Sequence, residues 1–91
     1  MQANFKSIMI ESPEQLIRDV GRRITAIREA RSLTLAELAR QIEMGYPNLA
    51  RIERGEQNLT LRTMTRIANA LGVRTIDLLT PPDAPIPAPV R

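Results

Sequence analysis

The sequence contains no cysteine, no histidine and no tryptophan, and only one tyrosine and one phenylalanine among its 91 residues. Lacking cysteine, the chain can form neither a disulfide staple nor a thiol nucleophile. With histidine missing as well, the common zinc ligands and the usual general base are gone. Most enzyme and metal-site classes are excluded together. The 10 Asp and Glu residues are dispersed along the chain, and nothing beside them can activate a Ser or Thr nucleophile. No catalytic residue, metal, cofactor or small-molecule substrate is therefore expected. Long apolar runs are lacking too. Met1 to Ser12 carries one lysine and the short run Ile8, Met9, Ile10, which makes neither a signal peptide nor a membrane span. The expected location is the cytoplasm, with no membrane partner.

What remains is rich in aliphatics and in arginine. Hydrophobic residues make up 43% but aromatics only 2%, so a core must come from Ile, Leu, Val, Met and Ala, which favours packed helices. The length supports one domain with tails. Lys and Arg number 13 against 10 acids, a net charge of +3, and 12 of the 13 are Arg. That excess is modest. The planar guanidinium nevertheless suits phosphates and guanine edges better than an ammonium does.

Apolar spacing and capping residues divide the chain into five short helices. Ser12-Pro13-Glu14-Gln15 reads as a helix start, with Ser12 as N-cap and Gln15 closing a capping box. Leu16, Val20, Ile24 and Ile27 then form one stripe on a helix ending near Arg31. Gly21 interrupts this helix, either to allow close packing or as a tolerated weakness. Thr34-Leu35-Ala36-Glu37 is a second capping box, opening a short helix that buries Leu35, Leu38, Ala39 and Ile42. Glu43-Met44-Gly45 leads into a third helix from Tyr46 to Arg54, with Leu49 and Ile52 facing inward and Gly55 as its stop. Thr60 caps a fourth, with Leu61, Met64, Ile67, Ala68 and Leu71 as its stripe and Gly72 past its end. Thr75 caps a fifth short helix through Leu79. Pro81, Pro82, Pro85, Pro87 and Pro89 forbid further helix, so the end reads as an extended or disordered tail that could also serve as a polyproline ligand. The second and third helices, joined by a short turn, have the outline of a helix-turn-helix unit.

The residues are also similar to the Cro and lambda-repressor type of helix-turn-helix regulators, the xenobiotic-response-element family. The resemblance covers Gly21 to Leu79 and is carried by Gly21-Arg22-Arg23-Ile24, Ile27-Arg28, Leu38-Ala39-Arg40, Leu49-Ala50-Arg51-Ile52-Glu53-Arg54-Gly55 and Ile67-Ala68-Asn69-Ala70-Leu71-Gly72-Val73. It implies an all-α, compact five-helix lambda-repressor-like domain over residues 13–80, with an N-terminal arm at 1–12 and a Pro-rich tail at 81–91. It also implies that Ala39 lets the second and third helices approach, and that Arg28 pairs with Glu53 to hold the third helix. Base readout falls to Tyr46, Pro47, Asn48 and Arg51, with Ala50 near the groove floor. Two of these keep a second reading, Tyr46 as a hydrophobic lid over the turn and Arg51 as a solvated charge. Phosphate contacts fall to Thr34, Leu35, Arg54, Asn58, Thr60 and Arg62. Leu35 stands where many relatives have Gln, and can offer only its backbone N–H. Glu43 stands where they favour Gly, a position strained for a residue with a Cβ.

The function implied is a dimeric repressor or autoregulator of transcription that binds a palindrome in double-stranded DNA. Ile76, Leu78 and Leu79 are the candidate dimer interface, unless they close the monomer core. Two relatives of that function stay open. Ser12-Pro13-Glu14-Gln15-Leu16 resembles the segment ahead of the domain in antitoxins, which implies a toxin as protein partner. Asn58-Leu59-Thr60-Leu61 resembles controllers of restriction-modification operons. RNA polymerase is a further possible protein partner.

Overall fold

The computed structural model describes residues 10–90, and within them the chain is all-helical. Its elements are α1 (Pro13–Ala30), α2 (Leu35–Gln41), α3 (Tyr46–Glu53), α4 (Leu61–Leu71) and a 3-10 turn (Thr75–Leu79). The expected fifth helix is thus a tight turn. Its length is limited because Thr80 precedes Pro81, which holds Thr80 extended at φ −76° and ψ 160° and ends any helical run at Leu79. The N-terminal arm expected at residues 1–12 lies almost wholly outside the described residues.

Side-chain caps set the helix starts. The Ser12 hydroxyl accepts the Gln15 amide at 3.3 Å, but Gln15 does not close a box. Its side chain donates to Asp19 and accepts from Arg18 instead. The Thr34 and Glu37 box does close, through the Glu37 amide at 3.0 Å and the Thr34 amide at 2.8 Å. Thr60 accepts the Thr63 amide at 3.0 Å, and Gly72 ends α4 in the left-handed region at φ 72°.

The core is aliphatic throughout. Val20, Ile24 and Ile27 of α1 meet Leu38, Ala39 and Ile42, Leu49 and Ile52 of α3, and Met64, Ile67, Ala68 and Leu71 of α4. Burying each large side chain contributes about 1.5 to 3 kcal/mol. Leu61 departs from its expected place in the α4 stripe, being 72% exposed, because the buried part of that helix begins only at Met64. Leu35 is half-buried at the edge of the core. Leu78 is fully buried, which removes it from the candidate dimer interface and leaves Ile76 and Leu79 outside.

Gly21 marks a close approach. A Cβ there would lie 2.5 Å from the Ile52 carbonyl oxygen and 2.6 Å from that of Glu53, so α1 touches the backbone at the end of α3. The Pro-rich tail runs extended with most of its side chains exposed, but up to Val90 its backbone is tied to the helical body: Arg23 donates to the Ala84 and Pro85 carbonyls, Arg31 to that of Pro87, and the Val90 amide to that of Gly72.

Candidate nucleic-acid interface

α2 and α3 pack on each other and are joined by Ile42 to Gly45, with the Met44 amide bonded to the Ala39 carbonyl at 2.9 Å. Glu43 in this turn has φ 53°, the left-handed conformation that a glycine adopts at lower cost. Ala39 is buried on the α2 face that meets α3, where a larger side chain would hold the helices apart. α3 starts at Gly45 without a side-chain cap, and Pro47 fits its first turn because amides there have no helical acceptor.

The eight residues of α3 run from buried to exposed around the helix. Leu49 and Ile52 are buried, whereas Tyr46, at 53% exposure, stands out with Pro47 and Arg51; Asn48 and Ala50 are half-buried. Arg51 reaches only weakly toward Gln57, at 3.5 Å. The helix therefore offers a phenol, a pyrrolidine ring, an amide and a guanidinium along one outward strip.

The orientation of that strip is fixed from behind. Arg28 of α1 makes a two-pronged contact with Glu53, Nε to Oε2 at 2.8 Å and Nη2 to Oε1 at 3.0 Å. Its Nη1 also donates to the Leu33 carbonyl at 2.8 Å, and the Thr25 hydroxyl lies 2.9 Å from Glu53 Oε1. One guanidinium thus joins α1, α3 and the loop before α2. Both side chains are largely buried, at 12% and 8% exposure. The hydrogen-bonded Glu53 carboxylate pushes the Arg28 pKa above its ordinary value, against the opposing effect of burial.

The six residues expected at phosphates are not equally disposed. Thr34 and Thr60 serve as caps of α2 and α4, and Leu35 opens α2 without a polar side chain. Arg54 is engaged with Glu56 in an exposed pair at 3.0 Å, which raises the arginine pKa and lowers that of the carboxylate through their hydrogen bond. Asn58 Oδ1 accepts the Leu59 amide at 2.9 Å. Arg62 is exposed, with no ion pair to another described residue. Thr25 joins the pair of Arg28 and Glu53 because it lies one turn from both Gly21 and Arg28 on α1 and so faces the same neighbour, a spacing that is the one sign of its role in the sequence. No metal-binding cluster and no helix able to cross a membrane occurs among the described residues.

Known proteins resemble this arrangement in sequence and in shape. The sequence profile of the helix-turn-helix family matches residues 24–78. The immunity repressor protein of Bacillus phage phi105 is 44% identical over 55 residues, which are 60% of this chain but only 38% of the repressor. The uncharacterized HTH-type transcriptional regulator y4dJ of Sinorhizobium fredii is 34% identical over 64 residues, 70% of this chain and 83% of the regulator. The crystal structure of the hypothetical transcription factor NHTF from Neisseria superposes with a TM-score of 0.69 at 32% identity, over 84% of this chain and 90% of that one.

Proposed function

As the chain belongs to the helix-turn-helix family, we propose that it is a sequence-specific, double-stranded DNA-binding regulator of transcription, acting in the cytoplasm as a homodimeric repressor or autoregulator. The observation that carries this reading is the outward strip of α3 braced by the buried Arg28 and Glu53 pair. A helix held at a fixed angle with polar side chains at its exposed start is what the major groove accepts.

In that reading Asn48 pairs with adenine and Arg51 with guanine, while Tyr46 and Pro47 meet thymine methyl groups. Arg62, the caps Thr34 and Thr60, the Leu35 amide and Asn58 contact phosphates, and Arg54 exchanges Glu56 for a phosphate. Ile76 and Leu79, exposed on the 3-10 turn, form the dimer contact. Two copies then read half-sites about one helical turn apart. A relative described as an immunity repressor and another described as a transcriptional regulator support the same activity.

Selection of the protein on random duplex DNA tests the proposal, and an enriched palindrome with half-sites about 10 base pairs apart is expected. Two variants then separate the roles. Arg51→Ala relaxes preference at one base position, whereas Arg62→Ala weakens all sequences alike and reduces the salt slope by about 1. Uniform loss in both would remove Arg51 from base readout, and retention without any enriched sequence would overturn specific regulation.

A further inference from the structure

Arg23 lies within the apolar stripe of α1 and is only 2% exposed, yet no ion pair among the described residues includes it. Its guanidinium is satisfied by main-chain carbonyls alone. Nε donates to Asp77 at 2.9 Å, Nη1 to Ala84 at 2.8 Å and Nη2 to Pro85 at 3.1 Å. Eight residues on, Arg31 does the same, with Nε on the Leu71 carbonyl at 2.9 Å and Nη2 on that of Pro87 at 2.8 Å. The Val90 amide completes the row by donating to the Gly72 carbonyl at 2.6 Å. Gly72 also makes room, since a Cβ on it would meet Pro89 at 3.3 Å.

These contacts hold residues 84–90 along α1 and the end of α4 by their backbone. Prolines at 85, 87 and 89 suit such a seat. They offer carbonyls while removing N–H groups that would need acceptors, and they favour the extended form before docking, which lowers the entropy lost on binding. Vacating the seat exchanges three carbonyl acceptors, those of Ala84, Pro85 and Pro87, for water, so each such bond contributes the modest net amount typical of a hydrogen bond to a charged group. The geometry points to a peptide-binding groove between α1, the end of α4 and the 3-10 turn, built for an extended proline-rich strand, with residues 84–90 of the chain itself as its occupant. It uses none of the residues proposed for DNA contact, so it stands or falls independently of that reading.

The test uses the full chain and a fluorescently labelled synthetic peptide of residues 81–91. In the wild type the Val90 amide is protected from hydrogen exchange, and the tethered tail keeps the labelled peptide out through its high effective concentration. Combining Pro85→Gly, Pro87→Gly and Pro89→Gly loosens the occupant, so exchange at Val90 speeds up about ten-fold or more and the labelled peptide binds saturably. Adding Arg31→Ala to that variant abolishes the binding while circular dichroism shows unchanged helix. If Arg31→Ala itself loses helix, Arg31→Lys, which keeps the charge and loses the fork, makes the same comparison. An unprotected Val90 amide in the wild type, no saturable binding by the glycine variant, or binding that survives loss of the Arg31 fork would each overturn the groove.

Discussion

Glu53 shows how much depends on one side chain's surroundings. It receives two N–H groups from Arg28 and the Thr25 hydroxyl in a largely buried setting, so removing its charge leaves a buried guanidinium without a counter-ion. Glu53→Gln is expected to lower stability by about 2 kcal/mol or more, whereas Glu56→Gln, which cuts the exposed pair with Arg54, changes it by about 0 to 1 kcal/mol. Urea melts of the two variants provide the comparison, and equal effects would refute the structural role of the buried pair. Glu43 presents the opposite case. Its exposed side chain makes none of the described hydrogen bonds while its backbone sits at φ 53°, so Glu43→Gly is expected to stabilise by about 1 kcal/mol. A lower melting temperature in that variant would contradict the strain argument.

Among the elements, the contact of α1 with the end of α3 is the least forgiving. The Cβ of Gly21→Ala would press on two carbonyl oxygens, and backbone cannot rotate away as a side chain can. This variant is expected to melt at a clearly lower temperature although alanine is the better helix former by about 1 kcal/mol; a rise in melting temperature would mean that α3 shifts freely. Helix starts at Ser12, Thr34 and Thr60 were legible because a cap is a local device, written in two or three adjacent residues. The pairing of Arg28 with Glu53 was reached by resemblance, since 25 residues separate the partners and no local pattern links them. The shortening of the fifth helix to a 3-10 turn reflects the extended conformation that Pro81 imposes on Thr80. Tail docking was hidden for another reason. Recognition through carbonyls does not specify a partner from the bound sequence: the prolines mark an extended strand but not where it docks, and on the receiving side the trace is an arginine, Arg23, standing in an apolar stripe.

For the molecule as a whole, burial separates what holds the monomer together from what is left for a second copy. Leu78 is fully buried and Ile76 is exposed on the same turn. Ile76→Lys is therefore expected to stay folded, sediment as a monomer, lose the concentration dependence of melting that a dimer shows, and bind the palindrome more weakly, while Leu78→Lys unfolds the domain. A variant at Ile76 that still sediments as a dimer would move the interface elsewhere. The shortage of aromatic rings has an optical consequence. Tyr46 is the sole tyrosine, there is no tryptophan, and its ring stands half in water at the start of α3. Ultraviolet emission excited beyond the absorption band of the one phenylalanine thus originates at a single point on the outward strip. Because the ring is half exposed already, unfolding can uncover only the rest of it, whereas anything that covers α3 takes it out of water. The chain carries a natural chromophore that reports the occupancy of one helix.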